Sequence, residues 1–295
     1  ARLETFRPAM GERYARGRNT DRGPGAHRDV STLSPYLRRR LVTEPEVVAA
    51  ALATHGFRGA EKFIQEVVWR GYFKGWLERR PAVWAWYRDG LERDVERLAS
   101  ERGLAAAVAD AEAGRTGLTC FDAWARELIE TGYLHNHARM WFASIWIFTL
   151  GLPWRLGADF FYRHLLDGDP ASNTLGWRWV AGLHTRGKPY QARADNIARF
   201  TDGRFTPRAN ELAAEVHSLD AVEEPDGLPA VEPLRVVEQP RTDVSSVLLL
   251  TEEEGRLEEL EPATLDLRAA ATLPASRLRS PRPVSSEVAA FETEA

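Results

Sequence analysis

The stretch LLDGDPASNTLGWRW, residues 165–179, decides how the chain is read. Asp167 and Asp169 stand one residue apart, Asn173 follows, and Trp177 and Trp179 flank Arg178. Three readings compete: a cation loop, a structural turn, or the wall of a cofactor pocket. Asp-Gly-Asp could hold a divalent ion, but the oxygen-ligand spacing of a calcium loop does not continue beyond it. No second acidic cluster accompanies it. Asp169-Pro170 reads as a turn. Aspartates in a loop beside an arginine-bearing helix favour ion pairing, and Arg139 is the candidate partner.

Outward from this stretch, composition narrows the class. The 295 residues suit one large or two modest domains, and 44% hydrophobic content is enough for a sizeable core. The single cysteine, Cys120, excludes a disulfide framework, a cysteine zinc site or an iron–sulfur cluster within one chain. A reducing, cytoplasmic setting is therefore expected. No charged start followed by an apolar run marks a signal peptide. The longest apolar run, residues 140–154, is too short to span a membrane and is broken by Gly151 and Pro153. No membrane association and no metal are expected.

The net charge of −4 hides an asymmetry. Residues 1–206 carry 31 basic and 24 acidic side chains, a net +7, and residues 207–295 carry 8 and 19, a net −11. All ten tryptophans precede residue 207. A basic body suits a polyanion such as DNA, although scattered surface cations are the plainer reading. The body has helical apolar spacing over 46–53, 61–79, 91–110, 121–132, 134–150 and 157–166, and little strand alternation. After residue 206, EEPDGLPAVEP and VVEQPR read as linker, SSVLLLTEEEG (245–255) as a short buried strand and turn, and SRLRSPRPVSSE as disordered.

Three stretches carry chemistry. In EKFIQEVVWRGYFKGWL (61–77), Phe63, Ile64, Val67, Val68 and Tyr72 make a buried stripe, while Glu66, Trp69, Arg70 and Phe73 share a second face. That face is either an intrahelical Glu–Arg pair beside a packed tryptophan or a polar-aromatic pocket wall. In YLHNHARMWFASIW (133–146), Asn136, Arg139 and Met140 share one side. His135 and His137, two residues apart, diverge on a helix and make a poor chelating pair. In VSTLSPYL (30–37), Ser34 is expected to cap a helix with Pro35 at its first position. Ser31, Thr32 and Ser34 place hydroxyls around that helix start, where free N–H groups can hold phosphate.

Taken in order, VSTLSPYL, FIQEVVWRGYF, GRTGLTCFDAW, TGYLHNHARM and LLDGDPASNTLGWRW resemble the FAD-binding domain of the DNA photolyase/cryptochrome family, from about Tyr14 to Phe205. The fold this implies is all-α, a helical FAD-binding domain over 1–206. A mostly irregular acidic tail over 207–295 follows, or the opening of an incomplete domain. The resemblance implies that Ser31, Thr32 and Ser34, with Arg70, hold the FAD phosphates, and that Tyr14 is an upstream contact. It pairs Arg139 with Asp167 against the isoalloxazine and places Asp169 and Asn173 near the flavin. It makes Glu66 and Asn136 the hydrogen-bonding partners of a flipped-out thymine dimer, Trp69 and Trp179 its walls and Met140 its floor, as base flipping requires. Trp177 and Trp154 match the first two members of a tryptophan relay.

The resemblance also has gaps. Residues 1–30 are too short for the family's α/β antenna domain, so either repair proceeds without an antenna or the chain is a fragment. Ala111 stands where many relatives carry the outermost relay tryptophan, which leaves Trp141, Trp146 or a tyrosine as exits. Pro189 and Tyr190 are kept, but the residues after them depart from the family at the DNA face. The first expectation is a light-driven enzyme that splits cyclobutane pyrimidine dimers in damaged DNA. The second is a photosensory or redox flavoprotein that signals to a protein partner through the acidic tail. A non-photochemical flavin subunit is a third.

Overall fold

The computed structural model describes residues 1–238, 241–256 and 265–294. The parts of the tail reading that fall on 239–240, 257–264 and 295 lie outside the described residues. Short helices α1 (Arg2–Phe6), α2 (Glu12–Gly17) and α3 (Ser34–Arg38) precede the long α4 (Glu44–Glu78). Then come α5 (Pro81–Ser100), α6 (Arg102–Glu112), α7 (Thr119–Thr131), α8 (Asn136–Ser144), α9 (Trp154–His164), α10 (Pro170–Val180) and α11 (Ala194–Phe200). The tail adds α12 (Asp220–Glu223), strands β1 (Ser245–Thr251) and β2 (Asp266–Leu273), and α13 (Ser286–Glu294). No helix among the described residues is long and apolar enough to cross a membrane.

The helix boundaries follow local chemistry. Thr43 and Glu46 form a capping box that starts α4. Gly56, at φ 63°, breaks that helix between the two segments expected from the sequence. The expected 91–110 helix is divided at Glu101 between α5 and α6. After Ser144 the chain continues in a π-helical turn, Ile145–Thr149. The Ser34 expectation needs correction: Leu33 occupies the cap position with helical angles, and Ser34 is the first helical residue. The pattern expected there is found at Asp169-Pro170 instead. Asp169 accepts the Ser172 N–H at 2.8 Å and Pro170 opens α10, so this turn signal is a helix start.

Two hydrophobic clusters form. The larger gathers Phe121, Trp124, Trp141, Phe142, Trp146, Phe160 and Phe161 from α7 to α9 and the π-turn. Each such ring withdraws roughly 200 Å² from water, on the order of 5 kcal/mol at about 25 cal/mol per Å², so the tryptophans fix where this core lies. The smaller cluster joins Met10, Tyr14, Leu33, Leu37, Val47, Phe63 and Val67 from α2 to α4. Cys120 is buried in the larger cluster, and burial pushes its thiol up to about 11. The expected buried stripe on α4 is only half right: Phe63 and Val67 are buried, Ile64 is partly exposed, and Val68 and Tyr72 stand out at 58% and 46% exposure.

The all-α expectation is corrected by the tail. β1 and β2 pair in parallel, with a register shift at Ser246/Val247. β1 is a strand as expected, but not a buried one: Val247 and Leu249 are 62% and 60% exposed. The tail is also not a loose acidic segment. Its carboxylates meet arginines of the body, so the two opposite charges are paired within the chain. Glu224 pairs with buried Arg178. Glu252 and Glu253 face Arg38 and Arg39, with Arg38 Nη1 to Glu253 Oε1 at 2.8 Å, and Glu254 reaches Arg40. The stretch read as disordered is docked on α9 and α6: Ser280 donates to Asp159 at 2.6 Å, Arg282 to Glu112 at 2.6 and 2.8 Å, and the Ser285 N–H to the Arg163 carbonyl. Removing one partner of a buried pair leaves an uncompensated charge. Glu224→Ala should therefore lower unfolding stability by about 3–5 kcal/mol, measured by urea denaturation.

Candidate functional site

A cavity of about 750 Å³ opens along the seam between the two hydrophobic clusters. Its apolar lining comes from both sides: Leu33, Leu37, Phe63 and Val67 from one, Leu134, Phe161, Leu165 and Trp177 from the other. Of the site residues expected from the sequence, all but Trp154 line it. Trp154 lies one layer behind, 2% exposed, in the larger cluster.

One end is polar. Ser31, Thr32 and Ser34 surround the start of α3. The Ser31 hydroxyl accepts the Leu33 N–H at 3.3 Å, and Arg2 donates to the Thr32 hydroxyl. Thr32 has φ +49°, a conformation that costs a β-branched residue energy and that local contacts must sustain. Beside it, Asp169 is 2% exposed and faces three cations: Arg70 at 3.5 Å, Lys74 at 3.8 Å and Arg38 at 3.8 Å. Burial favours the neutral acid, but Arg70, Arg38, Lys74 and the Ser172 N–H outweigh it and hold the carboxyl below its ordinary value. Arg70 is also bonded to Glu44 at 3.0 Å. The intrahelical Glu66–Arg70 pair does not form, because both side chains have tertiary partners. Glu66 pairs with Arg18 from the end of α2.

Arg139 and Asp167, both in the cavity lining, form a bidentate pair, Nη1–Oδ1 at 3.1 Å and Nη2–Oδ2 at 2.8 Å. The Arg139 Nε donates to the Leu134 carbonyl at 2.8 Å, which fixes the guanidinium plane. Asn173 donates its amide to the Ala158 carbonyl at 2.8 Å, leaving its carboxamide oxygen for a ligand. Trp177 is 2% exposed, and its indole N–H is buried without a hydrogen-bond partner. Sequence reasoning missed Gly157. A Cβ there would sit 2.3 Å from the Trp177 ring, so only glycine lets α9 and Trp177 pack so closely.

The other end is open and aromatic. Trp69, Tyr72 and Phe73 pack against one another with ring centroids 5.0 to 5.7 Å apart, and Trp179 packs on Tyr190 at 5.4 Å. Glu66, Asn136, Met140 and Tyr14 also line the cavity. Tyr72 also belongs to this wall, although its spacing assigns it to the buried stripe. The adjacent histidines serve structural roles. His135 Nδ1 caps α8 by accepting the His137 N–H, and His137 Nδ1 lies 2.9 Å from the Asn19 carbonyl oxygen. Behind them, Asp21, His27 and Glu127 converge, but protein groups already engage them: His27 Nε2 meets Glu127 at 3.0 Å, and Asp21 accepts from Trp124 and Gly23.

Two stability predictions follow from these charges. Asp169→Ala should cost about 3–5 kcal/mol in urea denaturation, since Arg38 and Arg70 lose a buried partner. Burial lowers the His135 pKa from 6.5 to about 4, with Asp21 opposing only in part. The folded chain then resists a proton that the unfolded chain accepts. Its contribution is complete above pH 6.5 and is lost as pH falls towards 4. His135→Asn, which keeps a capping side chain, should flatten the pH dependence of stability over that window.

The arrangement has counterparts among known proteins. Residues 63–209 match the family described as the FAD binding domain of DNA photolyase. The chain is 36% identical over 183 residues to a deoxyribodipyrimidine photo-lyase of Streptomyces griseus, covering 57% of this chain and 38% of the relative. It is 35% identical over 196 residues to the Thermus thermophilus enzyme of the same name, covering 64% and 43%. Among solved structures it resembles a class III photolyase of Agrobacterium tumefaciens, with TM-score 0.53, 29% identity, and 68% and 43% coverage. It shares its fold with a Synechocystis cryptochrome at TM-score 0.55, 21% identity, and 68% and 42% coverage. The chain thus spans about two fifths of the length of these relatives. The cavity, at about 750 Å³, has the size of a site for a small molecule or cofactor. Residues 63–209 are thus a helical FAD-binding domain of the photolyase/cryptochrome family.

Proposed function

We propose that the protein carries out FAD-dependent, light-driven repair of cyclobutane pyrimidine dimers in DNA. The observation that best supports this reading is the division of one cavity into two chemistries. Its lining combines the hydroxyls of Ser31, Thr32 and Ser34 and the cations Arg70 and Arg139 with the rings of Trp69, Tyr72, Phe73 and Trp179, beside Glu66 and Asn136. Ser31, Thr32 and Ser34, with Arg70, would hold the FAD phosphates, and Tyr14, Asp169 and Asn173 would complete the cofactor contacts. Arg139, held in orientation by Asp167, would offer positive charge to a reduced flavin ring. Bound FAD would supply the photoexcited electron that opens the dimer. No antenna chromophore is needed if the flavin absorbs the light itself.

The remaining work falls to the open end. Trp69 and Trp179 would flank an extruded dimer, Met140 would underlie it, and Glu66 and Asn136 would bond the pyrimidine edges. Arg18 fixes Glu66 beside Tyr14, so its carboxylate is positioned before substrate arrives. No metal or covalent nucleophile is required. Glu66→Ala should retain full FAD content yet lose most of its repair yield, measured by irradiating the reduced holoprotein with a dimer-containing oligonucleotide under near-UV light. A wild-type holoprotein at full occupancy that leaves the dimer intact contradicts the reading.

A second reading is a photosensory flavoprotein, favoured by the tail docked through Glu252–Glu254 on Arg38–Arg40. Here light would alter that contact and present the tail to a protein partner. Illumination that changes protease sensitivity of the tail, without dimer repair, would favour it.

A further inference from the structure

Trp177 sits in the cavity wall, and the question is how an electron could reach it from water. Ala111, Trp141 and Trp146 are each 0% exposed, so none of them brings a ring to the surface. An aromatic line that ends in a surface tryptophan runs through α9 and α5. The edge of the Trp177 ring abuts Gly157, one helical turn from Trp154 on α9. The Trp154 ring lies 5.8 Å from Tyr87, and Tyr87 stacks on Trp84 at 5.2 Å and 28°. Trp84 is partly exposed. Tyr87 and Trp84 therefore lead from Trp154 to solvent, and Gly157 of the same helix joins Trp154 to the Trp177 ring.

We propose that Trp84 is the terminal electron donor of this chain, serving Trp177 through Trp154 and the Tyr87 ring. This inference rests on the flavin reading of the cavity. Light-driven transfer of one electron from Trp177 to bound oxidised flavin leaves a vacancy on Trp177. Trp154 fills it, and Trp84 in turn fills Trp154. The Trp84 radical cation releases its indole proton to water. A small thiol in solution then returns a hydrogen atom, one electron and one proton, and leaves as a thiyl radical that couples to a disulfide. The net result is one electron moved from thiol to flavin.

The surroundings give this path its direction. The Arg155 guanidinium lies over the Trp154 ring at 5.0 Å and is itself paired with Asp94 and Glu223, so hydration decides where the vacancy rests. The buried pair Trp154 and Trp177 offers little solvation to a cation, whereas Trp84 is partly hydrated. Burial, with Asp159 adding to it, raises the Tyr87 phenol well above its ordinary value. Tyr87, buried with its ring between those of Trp154 and Trp84, is the bridge between them.

The test uses FAD-loaded full chain with a small thiol under blue light, read by transient absorption of the tryptophan radical and by flavin photoreduction. Trp84→Phe should retain flavin content and lose both the long-lived radical and most of the photoreduction. Trp84→Tyr should restore part of it, and Trp86→Phe, an exposed neighbour on the same helix, should leave it unchanged. Wild-type photoreduction in Trp84→Phe, or no long-lived radical in the parent protein, overturns the proposal. A chain that binds no FAD overturns it together with the pocket reading. Photoreduction that depends on Trp84 in a protein unable to repair dimers supports it and contradicts the repair reading alone.

Discussion

The buried carboxylate of Asp169 ties the molecule together. It begins α10 by accepting the Ser172 N–H, and it faces Arg38 of α3 and Arg70 and Lys74 of α4. Those helices belong to the smaller hydrophobic cluster, while α10 packs through Trp177 into the larger one. One charge therefore holds two apolar bodies in fixed relation. The cavity is the space left between them, with its polar groups where the bodies meet. Arg38 strengthens the join by donating to the Gly168 carbonyl at 3.2 Å.

Buried cations need partners from more than one source, and this explains the tail. Arg38 and Arg39 are 0% and 1% exposed, and Asp169 alone cannot compensate both. Glu252 and Glu253 reach them from beyond residue 250, and Glu292 reaches Arg39 from α13. The acidic excess after residue 206 is thus spent partly on the polar end of the cavity. The same logic places Glu223 against Arg155 and Glu224 against Arg178. Tail and site are linked through shared arginines, so a change in one alters the electrostatics of the other.

Much of the site was legible because its residues lie on helices with a clear period. Glu66, Trp69, Arg70 and Phe73 share a face by spacing alone, and the cavity receives all four. Arg139 and Asp167 were matched by type and local context. What escaped was tertiary. Arg18 takes Glu66 from 48 residues away, and Asp169 takes Arg70 from 99 away, so the local Glu–Arg pair never forms. Tyr72 reads as core by periodicity but faces the cavity mouth, because the cluster beneath α4 is narrow. Asp169-Pro170 carries both a turn signal and a helix-start signal, and only the packing of α10 selects between them. The tail was misread because low aromatic content predicts no core, whereas its order comes from ion pairs and a short sheet.

On the proposed reading, Ser31, Thr32 and Ser34 hold phosphate and Arg139 faces the flavin ring, so the pocket should select FAD over smaller flavins. The most direct measurement is the identity and stoichiometry of flavin released on denaturing the purified chain, compared with Arg139→Leu. One FAD per chain, lost in the variant while its fold persists by circular dichroism, is the expected result. A folded chain that takes up no FAD when supplied in excess, or that holds it equally well without Arg139, would contradict the central claim.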